Sequence, residues 1–335
     1  MEASQLSVEA PGPMQRVREL ASDHPARTAA VVLGVLFLVM VASKGLERVL
    51  DTGLTGLSTG SIYALGAVGL TLVYGILKLV NFAHGDFLTF GAYMAFVVNV
   101  TWGAPLIVAV LFAMLTTAIL GVVLERVMWR PMRQRGAGML QLLLMSIGLA
   151  LLIRYTIQFF ASTELRSLDV NKTATIDFLG LSMGRTQGIV VLISFAVLIA
   201  TGLMLRYTLL GKRMRALSDS IELAETSGID TGRVITWTWV FAGAFAGLAG
   251  VFLAAITQIQ PELGFELLLP IFAAVVLGGI GDAFGALAGG ILLGLVVEWS
   301  DLYIASGFKV AVAFIVLILV LIVRPQGIFG KARAI

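Results

Sequence analysis

Ten apolar runs, each bounded by polar or glycine-rich sequence, dictate what this chain can fold into. They cover roughly 28–43, 54–77, 85–100, 105–124, 139–160, 188–205, 234–256, 267–280, 284–298 and 308–323 of 335 residues. A bilayer-spanning helix needs about 20 mostly apolar residues, and the longer runs reach that length. Hydrocarbon offers no partner to a free amide, so a spanning segment must be a helix or part of a closed barrel. Barrel strands alternate in polarity over about ten residues, and these runs do not alternate. The expectation is an all-α polytopic membrane protein with about ten transmembrane or half-membrane helices. Composition agrees, since 59% of residues are hydrophobic, 13% are charged and the mean hydropathy is +0.98. A soluble globular enzyme and a disordered chain are both excluded.

Residues 1–27 read as a polar, basic leader on the cytoplasmic side, followed by an extra N-terminal anchor helix over 28–49. The run ending Val41-Ala42-Ser43 competes as a signal peptide, but the leader is long and further spans follow, which favours a retained anchor. Threading ten crossings from a cytoplasmic N-terminus places sixteen of the 23 Lys and Arg inside, six outside, and Arg154 within a span. That bias puts both termini in the cytoplasm of a multi-pass cell-membrane protein. The net charge of +3 is then a property of cytoplasmic loops, not of nucleic-acid binding. There is no cysteine, which removes disulfides and thiolate chemistry.

Two loops are long. The extracytoplasmic one, 161–187, has a β-prone stretch around 175–181 and is either a short hairpin or a solvated linker. Its Asn171-Lys172-Thr173 sequon is a chance match by default. The cytoplasmic loop, 206–233, is the most charged part of the chain. Ser218 or Asp219 can cap a short helix there, Glu222 suits its first turn, and Gly228 suits a left-handed stop. Ile221, Ala224 and Gly228 form a small apolar stripe, suited to docking on another protein.

Two interruptions stand out. Asn81-Phe82-Ala83-His84-Gly85-Asp86 places polar groups between apolar runs. It is either a tight cytoplasmic turn or a broken helix near a transport pathway, with Asn81, His84 and Asp86 holding the break by hydrogen bonds. A possible counterpart, Gly281-Asp282, lies between two short apolar segments in the second half. Paired interruptions of this kind point to a pathway between repeats. On that basis Asn81, His84, Gly85, Asp86, Gly281 and Asp282 are candidate pathway residues. Gly285 and Gly289 are better explained by close helix packing, as are the small residues at 243–247. Three charges have plain readings: Glu125 as a surface partner of Arg126 or Arg130, Arg154 as snorkelling to the outer face, and Glu298 as interfacial beside Trp299.

Several chemistries lack their residues. The P-loop pattern is missing, since Gly211-Lys212 is followed by Arg213, so ATP cannot bind through one. His24 and His84 are the only histidines and form no zinc helix, and a serine hydrolase would have His84 as its only plausible base. Transport, channel activity or scaffolding remains.

Gly60-Ser61-Ile62-Tyr63-Ala64-Leu65, Leu72-Val73-Tyr74-Gly75-Ile76, Asn81-Phe82-Ala83-His84-Gly85-Asp86 and Gly91-Ala92-Tyr93 together resemble the signature of the branched-chain amino acid ABC importer permeases of the LivH type. The likeness extends over about 50–330 and includes Leu277-Gly278-Gly279, within a transmembrane domain of 50–333. It implies a permease transmembrane domain with no enzymatic site of its own. The implied partners are a homologous second permease, two cytoplasmic ABC ATPases that bind the ATP and Mg, and an extracytoplasmic substrate-binding protein. Glu222, Ala224 and Gly228 match the E-x-A-x-x-x-G pattern through which such permeases touch their ATPases. The implied cargo is leucine, isoleucine and valine, with urea or short amides as the alternative. An ion-coupled secondary transporter, which needs buried carboxylates along its route, is the rival from another class.

Overall fold

The computed structural model describes residues 25–178, 181–324 and 326–328. The expected leader lies, as far as residue 24, outside the described residues. Each of the ten apolar runs forms a helix. Pro25–Lys44 (α1) is followed by Leu46–Leu77 (α2), His84–Phe96 (α3) and Leu106–Leu124 (α4). Then come the short Arg130–Gln134 (α5), Met139–Ala161 (α6) and a hairpin of Thr175–Phe178 (β1) with Leu181–Gly184 (β2). Arg185–Tyr207 (α7) leads through Leu209–Asp219 (α8) and Ile221–Thr226 (α9) to Thr231–Ile256 (α10). Leu263–Gly278 (α11), Ala283–Ser300 (α12) and Lys309–Val323 (α13) complete the fold. α3 and α4 each end in a single π turn, at Val97–Thr101 and Glu125–Trp129.

Among the described residues, six helices are long and apolar enough to cross a bilayer: α2, α4 with α5, α6, α7, α10 and α12. α2 is 94% buried over its most apolar stretch, whereas α4, α6 and α7 are only 28% buried. α2 is therefore the axis of the bundle, and the outer helices present Leu111, Leu152, Phe159, Leu192 and Leu203 outward as a hydrocarbon-facing coat. The structure moves one boundary. Gly45, at φ +86°, separates α1 from α2, so α2 begins before residue 49, the expected end of the anchor. At about 1.5 Å per residue its 32 residues span about 48 Å, beyond a hydrocarbon core of about 30 Å. The surplus carries Glu47, Arg48 and Asp51 to the hairpin, where the Ser182 amide donates to Asp51 Oδ1 at 3.2 Å.

Small residues set how closely these helices approach. A Cβ on Gly60 of α2 would lie 2.9 Å from the Ile291 Cα of α12, and one on Gly91 of α3 would lie 2.6 Å from the Gly247 Cα of α10. Gly243 and Gly247 of α10 likewise fit against the backbone of α4. Lipid tails are as apolar as leucine, so such helices associate through close van der Waals contact and interhelical hydrogen bonds.

Two charges are placed differently from their sequence readings. Glu125 is buried rather than at the surface, and it pairs with Arg133, not Arg126 or Arg130. Trp239 Nε1 donates to its other oxygen at 2.9 Å. Glu298 is buried too, accepting from Thr59 Oγ1 at 3.0 Å and Lys309 Nζ at 2.7 Å. Both satisfy the demand that a desolvated carboxylate be paired.

The packing makes a prediction. A Cβ on Gly264 of α11 would collide with the Gly85 carbonyl of α3, which is backbone and cannot swing aside, while one on Gly148 of α6 meets open space. Gly264→Ala should destabilise the protein by about 1–3 kcal/mol, the usual cost of overpacking. Gly148→Ala should be neutral or stabilising by up to about 1 kcal/mol. Thermal unfolding in detergent reads both, and equal melting temperatures would contradict the assigned contact.

Candidate functional site

The chain leaves α2 at Lys78, whose φ of +51° turns it back, and 78–83 is not helical. Leu79, Asn81 and Ala83 are nevertheless buried, which rules out a solvated turn. His84 opens α3 with its Nε2 3.0 Å from the Gly66 carbonyl of α2. A carbonyl only accepts, so Nε2 carries the proton. Gly66 lies eleven residues before the end of α2, so α3 starts about 16 Å inside that end. Residues 79–83 therefore re-enter the bundle, and the broken-helix reading is the one observed.

Irregular backbone at this depth needs partners. Asn81 Oδ1 accepts from the Ala83 amide at 3.1 Å. Ser146 of α6 serves the same segment twice, accepting from the Phe82 amide at 3.1 Å and lying 3.3 Å from the Val80 carbonyl. Asp86 Oδ1 and Oδ2 accept from Arg154 Nε and Nη2 at 3.0 and 3.3 Å, and the guanidinium sits 4.1 Å from the centre of the Phe265 ring. Arg154 thus points inward to a carboxylate instead of snorkelling out. Gly85 acts as a packing residue, pressed against Gly264.

The counterpart of this break lies elsewhere than Gly281-Asp282. After α10 the chain runs without helix through 257–262, Ile259 pairing with Arg166 of the long loop by bonds of 2.7 and 3.0 Å. α11 then begins beside the first turn of α3. The Gly264 amide donates to Thr89 Oγ1 at 2.9 Å, and Phe82 and Phe272 rings lie 5.2 Å apart. As α3 numbering falls from 89 to 82, its α11 neighbours rise from 264 to 272, so the two helices are antiparallel. Two broken helices of opposite direction thus meet by their N-termini inside the bundle. Those termini carry positive partial charge, and Asp86 and Glu266 place carboxylates in the two first turns.

The structure does not bring Gly281 and Asp282 to this junction. They form the α11–α12 turn, where Gly281 has φ +92° and Asp282 Oδ1 caps α12 by accepting from the Phe284 amide at 3.0 Å. Gly281 packs near Gly75, nine residues from Gly66 or about 14 Å along α2. Sequence reasoning read Arg154 as snorkelling and missed Ser146, Thr89 and the second break. Two signals were available: opposite charges at 86 and 154 inside apolar runs, and Pro261 among polar residues just before α11.

The charged loop folds into α8 and α9. Its cap is Ser220, which accepts from the Leu223 amide at 3.2 Å, rather than Ser218 or Asp219. Ser218 is occupied elsewhere, donating to the Gly75 carbonyl at 3.0 Å. Gly228, at φ +79°, ends α9 as expected, and the Ile229 amide closes back on the Ala224 carbonyl at 3.1 Å. Ala224 is buried against its own chain, so the small stripe is not wholly free. Leu223 is the exposed apolar side chain, with Glu222 exposed beside it.

The junction makes a prediction. Removing one partner of a buried ion pair costs about 3–5 kcal/mol, whereas replacing both is far milder. Asp86→Asn and Arg154→Met should each lower the melting temperature sharply, and the double variant should be more stable than either. Additive losses would show that the two side chains do not depend on each other.

Residues 53–321 match the family described as branched-chain amino acid transport system / permease component. The chain is 34% identical over 297 residues to the high-affinity branched-chain amino acid transport system permease protein LivH of Salmonella typhimurium, covering 82% of this chain and 94% of that one. It is 32% identical over 290 residues to the corresponding protein BraD of Pseudomonas aeruginosa, with the same coverage. It is 28% identical over 275 residues to the ribose import permease protein RbsC of Escherichia coli, covering 78% and 82%. With transport permeases as relatives and six helices apt to cross a bilayer, this is a multi-pass protein of the cell membrane. The chain belongs to the family of branched-chain amino acid transport system permease components.

Proposed function

We propose that this chain is one permease subunit of an ATP-binding cassette importer for branched-chain amino acids. It forms the translocation pathway with a homologous permease, two cytoplasmic ATPases that bind ATP and Mg, and an extracytoplasmic binding protein that delivers cargo. The observation that carries this reading is the family match over 53–321 together with exposed Glu222 and Leu223 on α9, which Gly228 follows, on the most charged loop of the chain. In this reading the ten helices run with both termini in the cytoplasm. The anchor over 28–49 precedes the transmembrane domain of 50–333, loop 206–233 meets the ATPases, and loop 161–187 faces outward. α7 runs between the hairpin and α8, which agrees with the two loops lying on opposite sides.

Asn81, His84, Gly85 and Asp86 border the pathway at the central junction, while Gly281 and Asp282 stand towards its inner end. ATP-driven closure of the ATPases shifts α8 and α9 and tilts the two broken helices between inward- and outward-open arrangements. An ion-coupled carrier needs a carboxylate free to take up its ion. Asp86, the most buried candidate, is bound bidentately to Arg154, which argues against that route. The similarity to RbsC supports a pathway scaffold shared across cargo classes, with selection made mainly by the binding protein. Urea or short amides are the second cargo reading.

Three measurements test this. Leucine uptake in proteoliposomes should require the ATPases, the binding protein and ATP, and uptake driven by a sodium or proton gradient alone would overturn the proposal. Gly228→Val should abolish co-purification of the ATPases while membrane insertion persists, because a β-branched side chain strains a positive φ. Undiminished association would remove the docking role. His84→Ala should impair uptake without loss of assembly, and wild-type uptake would take His84 out of the pathway.

A further inference from the structure

We propose that Ser218, Gly75 and Lys78 form a transmission junction that carries displacement of the docking loop into the first broken helix. The inference rests on the docking reading above and extends it to residues outside the docking face. Three parts of the fold meet at the C-terminal end of α2. Ser218, one residue from the end of α8, donates to the Gly75 carbonyl at 3.0 Å. Lys78 Nζ donates to the same carbonyl at 2.6 Å and to the Ser218 carbonyl at 3.3 Å. The α11–α12 turn completes the site, since a Cβ on Gly75 would lie 3.6 Å from the Gly281 carbonyl and 3.7 Å from Ser218 Oγ.

The mechanics follow from what each part can do. α8 buries Gly211, Met214 and Leu217 and passes to α9 through Ser220, so force on α9 reaches α8 across one residue. Lys78 is the left-handed cap of α2, its amide bonded to the Tyr74 carbonyl at 2.9 Å. It is also the hinge from which 79–83 re-enters the bundle. Beyond it the chain is held at Ser146, at Asn81 and at the Gly66 carbonyl. A shift of α8 is therefore applied to a short, irregular segment whose far end carries α3. Ser218 and Lys78 act here as positioning residues; neither touches cargo or nucleotide.

The test measures leucine moved per ATP hydrolysed in proteoliposomes holding the complete complex with its binding protein. Ser218→Ala should lower that ratio about fivefold, the size expected for losing one hydrogen bond, with the ATPases still co-purifying. Ser218→Thr, which keeps the hydroxyl, should restore it. Lys78→Met should lower the ratio as well, and the double variant should fall no further than the stronger single one, because both act on the Gly75 carbonyl. A wild-type ratio in Ser218→Ala overturns the junction. So does loss of ATPase association in that variant, which would assign Ser218 to the docking face. A wild-type complex that moves leucine without ATP instead overturns the importer reading itself.

Discussion

Everything at the centre of this bundle depends on the refusal of hydrocarbon to solvate a charge or an open amide. Two helices are broken there, and several of the polar groups this leaves are met by a neighbour: Asp86 by Arg154, the Phe82 amide by Ser146, the Gly264 amide by Thr89, His84 by the Gly66 carbonyl. These partners sit on α2, α3, α6 and α11, so satisfying the breaks also ties those helices together. α6 shows the effect most plainly. Little of it is buried, and polar contacts at Ser146 and Arg154 attach it to the core.

The two interruptions give the chain an internal relation that neither half has alone. α3 leaves the re-entrant segment running back against α2, and α11, after a second non-helical segment, runs back against α10. Their N-termini meet at Gly85 and Gly264, close enough that neither position admits a side chain. Positive helix ends brought together would repel, and carboxylates in both first turns offset this. Asp86 is at the same time paired with Arg154, so the crossing is held by that ion pair together with the bond from the Gly264 amide to Thr89.

Much of the architecture was legible in the sequence because hydrophobicity is local and additive: all ten apolar runs are helices, and Gly228 stops α9 as its residue type suggests. What escaped was decided by tertiary contact. Arg154 looked like a snorkelling residue because its carboxylate lies 68 positions away. Ser218 and Asp219 are capable caps by residue type, but both fall within α8, with Ser218 bonded to the Gly75 carbonyl, and the cap of α9 is Ser220. The second break was read as the end of a span, since Pro261 with its polar neighbours is ordinary loop chemistry until α11 is seen to start deep inside. Gly281-Asp282 carried the more suggestive pattern and proved to be a turn at the bundle edge.

The glycine seams have a mechanical consequence. Where α2 meets α12 and α3 meets α10, main chain rests on main chain, with few rotamers in between to be re-sorted when one helix slips past the next. Interdigitated leucines would act as a ratchet, each step requiring an uphill repacking. Smooth faces lower that friction, so one helix can slide along the next with little rearrangement of the interior.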